Sequence, residues 1–409
     1  MCAGIDVVAP DDGGRPTGGS LYDRRLVAAL GALGRPARLV PVAGDWPAPD
    51  GAARARLRRA LGAPAPGRAV VLDGLVGCAD PEAVDDAVRS GVPVHLLVHL
   101  PLPAETGLDP AAATELARRE AAALAAASGV LAPSAWAARD LRRRYGTADA
   151  VVAEPGAERG PVAAGSCPPR LTCLASLTPR KNQRLLLEAL APLTGLGWTL
   201  DLVGPEGAPE HVGELRAAVR ELLGPGRVRC PGPLEGLALA RQWARTDLLL
   251  LPSTAETYGM VVTEALAHGV PAVVAAGTGA VEALDGTPEA RDAAGARTPA
   301  GAGTPAGAGT RAGAALDPTD PSAWTEVLRE WLTDPALRAQ WRAAALARRE
   351  RLRSWADTAR DVLAAIGPPP GPSDPPGHGT APDRDTAPGH GTAPDCDICH
   401  DTDRTRRPS

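Results

Sequence analysis

Along this chain, apolar runs the length of a strand alternate with stretches whose apolar residues recur every three or four positions, the spacing of one helix face. Such alternation predicts βα units and therefore parallel sheets. Strands are expected at residues 4–9, 37–42, 69–73, 94–99, 129–132 and 150–152, then at 171–177, 199–203, 227–230, 248–251 and 272–275. Residues 154–169, rich in Gly, Pro and Ala, read as a linker between a first domain at 1–153 and a second at 170–353. Helices are expected at 320–332 and across 335–366, with a separate last helix at 354–366. Two segments break the pattern: Gly-Thr-Pro-Ala-Gly-Ala repeats within 285–313 and Gly-His-Gly-Thr-Ala-Pro-Asp repeats within 367–409. Both are too poor in large apolar groups to offset the entropy of ordering, so the expectation is a flexible insertion and a disordered tail.

A length of 409 residues suits two domains of roughly 150–200 residues. The 44% hydrophobic content comes from Ala, Val and Leu with no Phe, and a formal charge of −5 with a pI near 5.9 lacks the basic field of a nucleic-acid binder. Seven cysteines at scattered spacings read as the thiols of a reducing cytosol. The first apolar run is strand-sized, and no run approaches the roughly 18–20 residues needed to cross a bilayer. The expected location is the cytoplasm.

One position stands out against this composition. Lys181 is the only lysine and directly precedes the only asparagine, Asn182, while arginine supplies every other cationic side chain. An ammonium is a compact charge on a flexible stem, able to approach one phosphate oxygen from many directions where a planar guanidinium is not. Lys181 follows an expected strand and is expected to open the helix whose spacing shows at 184–190, where the positive end of a helix favours anions. A charge-assisted hydrogen bond to phosphate there is worth about 1.5–3 kcal/mol. A second strand–turn–helix stretch, 248–271, places Glu256 in the turn, Gly259 at the helix start and Glu264 in the helix. At about 1.5 Å of rise per residue, Glu264 would lie about 7–8 Å along the axis from that start. Carboxylates on either side of an anion site suit a molecule with hydroxyls at both ends and a diphosphate between them. A nucleotide-sugar has this shape. Gly18, Gly19, His99, Lys181 and Glu256 all follow carboxyl ends of expected strands, where ligands of parallel sheets bind.

Glu256 and Glu264 with seven residues between them, followed by Ala265-Leu266 and Gly269-Val270-Pro271, resemble the E-x7-E motif of the retaining glycosyltransferases of family 4. Pro179-Arg180-Lys181-Asn182 resembles the family's diphosphate-binding lysine segment, Gly18-Gly19-Ser20 its N-terminal glycine loop, and His99 the histidine that faces the donor sugar. Pro155-Gly156 is similar to the interdomain crossing, and Trp355 to the aromatic of the closing helix. The likeness covers roughly residues 4–366 and is most specific in the second half. It implies a GT-B fold, two Rossmann-like domains facing across a cleft, with a last helix returning to the first domain. It also implies transfer of a sugar, with retention, from a nucleoside-diphosphate donor to an acceptor hydroxyl, with neither metal nor cofactor.

By that resemblance the departing diphosphate would be stabilised by Lys181, Arg180, the helix start at Tyr258, Gly259 and Met260, and the backbone of Gly18 and Gly19. Glu256 would hold sugar hydroxyls, Glu264 the ribose, and His99 the sugar from the other domain. Two departures stand out. Ala175-Ser176 occupies the place of the family's Gly-Arg, leaving Arg180 as the candidate replacement, and Asn182 follows the lysine where the family prefers glycine, either crowding a phosphate or capping the helix. The acceptor stays open among small molecules, glycans and lipids. Rival readings are a nucleotide-sugar-binding protein without turnover and a GT-B phosphorylase or epimerase. Gly13-Gly14 and Gly18-Gly19 lack the G-x-G-x-x-G spacing of a dehydrogenase.

Other signals weigh less. Cys396-Asp397-Ile398-Cys399-His400 spells a haem-attachment pattern, and Asp383-Arg384-Asp385 and Asp401-Thr402-Asp403 imitate a metal motif, all within the expected tail. Arg54, Arg56, Arg58 and Arg59 with Leu57 and Leu61 suit either a solvated helix face or peripheral contact with an anionic membrane.

Overall fold

The computed structural model describes residues 4–14, 17–62, 67–146, 150–286 and 311–367. Most of the expected insertion, all of the expected tail beyond Gly367, and the haem-like and metal-like motifs lie outside these residues. In the first sheet, β1 (Ile5–Pro10), β2 (Ala37–Val42), β3 (Ala69–Asp73), β4 (Val94–Leu97), β5 (Gly129–Ala132) and β6 (Val151–Val152) are ordered β2-β1-β3-β4-β5-β6, all parallel. In the second, β7 (Arg170–Leu174), β8 (Thr199–Val203), β9 (Val228–Gly232), β10 (Leu248–Leu251), β11 (Ala272–Ala275) and β12 (Gly313–Leu316) are ordered β12-β11-β10-β7-β8-β9, again parallel. This is the GT-B architecture.

Every expected strand forms, but two end early. β4 stops at Leu97, two residues short of His99, and β7 stops at Leu174 rather than 177. In both cases the apolar run outlasts the sheet pairing. The extra residues turn toward the cleft while keeping isolated backbone bonds, Val98 N to Leu131 O at 3.0 Å and Leu177 N to Pro205 O at 2.9 Å. β12 was not expected as a strand, because Gly313-Ala314-Ala315-Leu316 carries little bulk and adjoins the repeats. A Cβ on Gly313 would lie 1.7 Å from the Ala272 carbonyl oxygen, so only glycine permits this pairing.

The helices that matter for the site are α1 (Gly18–Ala32), α2 (Gly51–Leu61), α3 (Gln183–Leu190), α4 (Met260–Ala267) and α5 (Trp355–Ile366). The expected helical span 335–366 breaks into Pro335–Arg349 and α5. Ser354 caps α5 in a reciprocal box with Asp357, satisfying first-turn donors that an unbroken helix would not leave free. Before this turn the linker passes so close that a Cβ on Gly156 would lie 2.2 Å from the Trp355 nitrogen. α5 then buries Ala359 and Val362 with Ile5, Val7, Tyr22 and Leu26 in the core of the first sheet. The second sheet's core joins Leu171, Leu186, Leu200 and Leu250 to Trp198, Trp324 and Trp331, which supply aromatic bulk in a chain without phenylalanine. Each such large side chain removed from water contributes about 1.5–3 kcal/mol.

Candidate active site

In both sheets the strand order reverses beside the site. Ligands of open parallel sheets bind at such a switch point, beyond the strand carboxyl ends, because adjacent loops diverge there and open a crevice. In the second sheet the reversal separates neighbouring strands β7 and β10, so the loop carrying Lys181 and the loop carrying Glu256 face each other. In the first it lies between β1 and β3, beside the start of α1.

Lys181 does not open α3: it ends a short 3-10 turn, Pro179–Lys181, two residues before the helix begins at Gln183. Its ammonium is ion-paired with Glu256 Oε1, and both side chains are largely buried. Burial raises the Glu256 carboxyl, but the Lys181 charge outweighs it and the net displacement is below the usual range. Three ammonium donors leave capacity for a phosphate oxygen beside the carboxylate. Asn182 is the only non-glycine with positive φ among the described residues, at φ 52°, ψ 38°. This left-handed conformation is open to glycine and tolerable for asparagine, which explains how the asparagine is accommodated here. Asn182 occupies the cap position of α3, yet its side chain does not cap: Nδ2 donates to Pro318 O at 2.9 Å and Pro252 O at 3.3 Å, away from the first turn.

Arg180, the candidate replacement for the missing guanidinium, bonds across the cleft, Nε donating to Glu105 Oε1 and Oε2 at 3.1 and 3.2 Å. Ser176 contributes its carbonyl to Gln183 Nε2 at 2.8 Å. Gly259 precedes α4 at φ 81°, ψ 63°. The first-turn N–H groups of such a helix have no intrahelical partners. Tyr258 is buried, its hydroxyl donating to Glu154 Oε1 at 2.9 Å, so it can meet a ligand through its backbone alone. Met260 packs against the cores of both domains. Glu264, half-buried in the second turn of α4, is pushed up to about 7 by burial, with Arg25 of α1 pulling the other way.

From the opposite side come Gly18, Gly19 and His99. Thr17 caps α1, its Oγ1 accepting from Ser20 N at 3.1 Å, which sets the two glycines in the first turn. Gly18 is exposed, and a Cβ on Gly19 would lie 3.0 Å from His99 Cδ2. The His99 ring meets the edge of Tyr22 at 5.0 Å between centroids, and Tyr22 in turn meets Trp355 at 5.3 Å. His99 Nε2 lies 3.1 Å from Asp23 Oδ1 and 3.9 Å from Asp73 Oδ2. The Thr257 hydroxyl donates to the His99 carbonyl, and the Ser134 hydroxyl to the Thr257 carbonyl. These contacts set the loop of Glu256 beside His99 and the loop of Arg180 and Lys181 beside Glu105.

Sequence reasoning missed Asp23, Asp73, Glu105 and Thr257. Asp73 was detectable as the last residue of an expected strand, whereas Asp23 carries no local signal beyond an acid on the face of α1. Of the four arginines of α2, Arg54 pairs with Asp80 at 3.3 Å and Arg58 with Asp86 at 2.6 Å. Among the described residues, no helix is long and apolar enough to cross a membrane.

Solved structures share this fold. Sucrose-phosphate synthase from Thermosynechococcus elongatus superposes with a TM-score of 0.67 at 18% identity, covering 88% of this chain and 97% of that one. Anabaena HepE in complex with UDP and glucose superposes with a TM-score of 0.65 at 16% identity, covering 88% and 98%. The fold is therefore that of the two-domain GT-B glycosyltransferases. Residues 168–334 match the family model described as glycosyl transferases group 1. In sequence the chain is similar to the D-inositol 3-phosphate glycosyltransferases of Jonesia denitrificans, 31% identical over 195 residues, and of a Nocardioides species, 32% over 190. These alignments take in 46% of this chain but only 40% and 35% of the relatives.

Proposed function

We propose that the chain is a retaining glycosyltransferase that moves a sugar from a nucleoside diphosphate to an acceptor hydroxyl. The observation that carries this reading is the juxtaposition of Lys181 and Glu256 at the switch point between β7 and β10, opposite His99. Leaving-group departure puts negative charge on the diphosphate and positive charge on the anomeric carbon, and the two partners of this ion pair match those two charges. Lys181 and the start of α4 meet the diphosphate. Glu256 accepts from sugar hydroxyls and steadies the cationic carbon, Glu264 accepts from the ribose, and His99 holds the sugar from the first domain. Orientation between two domains supplies the proximity term, and closure excludes the water that would hydrolyse the donor. A HepE structure contains UDP-glucose, which makes a uridine donor the first to try.

The test is a panel of UDP-, GDP- and ADP-sugars, scored for binding by calorimetry and for donor hydrolysis or transfer. One donor class should bind and turn over, and Lys181→Ala should lose about 30- to 150-fold in kcat/KM, the equivalent of about 2–3 kcal/mol. Binding without any turnover would point instead to a silent nucleotide-sugar-binding module.

A further inference from the structure

Asp23 is fully buried, and its Oδ2 has no hydrogen-bond partner among the described residues. Its Oδ1 is engaged by His99 Nε2 at 3.1 Å. A carboxylate so removed from water is expensive unless a cation faces it. The arginine next to it in sequence does not serve: Arg24 bonds Asp12 at 2.7 Å. Asp73 adds a second buried carboxylate, with Oδ2 3.9 Å from the same ring nitrogen and Oδ1 occupied by Leu75 N at 2.7 Å as the cap of the next turn. The charged groups facing the imidazole are thus Asp23 from α1 and Asp73 from the end of β3, while Tyr22 presents a ring edge and is held neutral by burial. Two buried acids around one imidazole are best satisfied by a proton on that ring.

We propose that Asp23, backed by Asp73, is a positioning residue that holds His99 as an imidazolium, with Nε2–H donated to Asp23 and Nδ1–H left for the ligand. Nδ1 has no protein partner among the described residues, and the ring is fixed on its other sides by Gly19, Tyr22 and the Thr257 bond to its carbonyl. With Nε2–H committed to Asp23, the cation always has an Nδ1–H to donate to a sugar hydroxyl oxygen and so fixes the sugar's orientation, where a neutral ring keeps only one N–H for its two sides. The titration directions agree: burial works against a charged His99, the two aspartates outweigh it, and its proton is held more tightly than usual. Asp73 is pushed up to about 7 by burial and by Asp23, against the pull of His99. Proton-linked stability from His99 is therefore present below its ordinary 6.5 and is lost as pH rises through the raised value.

The kinetic consequence rests on the proposed transferase reading, but the protonation itself does not. Full-length protein carrying labelled histidine would be titrated by NMR, with His99 assigned from the signal missing in His99→Gln. The expected result is a His99 midpoint above 6.5 that falls by at least one pH unit, a tenfold loss of proton affinity, in the isosteric Asp23→Asn, with partial recovery in Asp23→Glu. The same spectra show whether each variant is folded. Asp23→Asn should also lower kcat at least tenfold while the donor KM changes less than about threefold, and shift the alkaline limb of the pH profile down. Equal His99 midpoints in wild type and Asp23→Asn would overturn the proposal. So would a neutral His99 that binds Zn²⁺ together with the aspartates, whose three ligand atoms lie within 4.8 Å of one another. If the wild type transfers no sugar, the transferase reading fails while the titration still decides this one.

Discussion

Glu264 shows how one side chain couples ligand binding to pH. Its carboxyl is pushed up to about 7 because α4 holds it in a half-buried position, and Arg25, whose charge pulls the other way, is already ion-paired with Glu158. A raised carboxyl favours the neutral form in the folded state, so its contribution to stability falls as pH rises from its ordinary 4.5 toward 7. A ribose diol donates hydrogen bonds and needs the ionised form as acceptor. Donor affinity should therefore rise about tenfold between pH 6 and pH 8, the change in ionised fraction for a group titrating near 7. Calorimetry with UDP on wild type and Glu264→Gln separates this from ionisation of the nucleotide, since the variant should lose the excess pH dependence. An equal slope in both proteins would remove Glu264 from the ribose site.

At the scale of an element, the entry to α3 depends on a backbone conformation. Asn182 sits in the left-handed region and anchors the turn after Lys181 to Pro252 and Pro318. Asn182→Gly keeps the conformation and loses the two side-chain bonds, while Asn182→Ala loses both and also strains the backbone by about 1–2 kcal/mol. Urea unfolding should therefore rank wild type above Asn182→Gly and Asn182→Gly above Asn182→Ala. A reversed order of the two variants would show that the left-handed turn is not maintained in solution. The same logic places Gly156 where the linker crosses the start of α5, and Gly313 where β12 meets Ala272.

For the molecule as a whole, the two domains are tied by polar contacts that converge on the site. Thr257 reaches His99 and Ser134, Tyr258 reaches Glu154, Arg139 reaches Glu282 at 2.7 Å, and Arg180 reaches Glu105. The last pair is the one a diphosphate would disturb, because Arg180 stands next to Lys181 while Glu105 is exposed on the far wall. Exposed ion pairs contribute about 0.2–1 kcal/mol. Glu105→Gln should release the guanidinium and tighten UDP binding by up to about fivefold at low salt, an effect that fades as salt screens the pair. Unchanged affinity would mean that Arg180 does not reach the ligand.

The sequence by itself determined the βα order, every strand of the two sheets except β12, and the two loops that carry Lys181 and Glu256. These follow from periodicity and local turn chemistry, which act over a few neighbouring residues. β12 escaped because its pairing depends on the absence of a side chain at Gly313. Only the tertiary structure set Lys181 against Glu256, Arg180 against Glu105, and Asp23 and Asp73 around His99. Partners of that kind are chosen by strand order and burial, which bring together charges from distant loops, and no local pattern records which of many acids will face a given base.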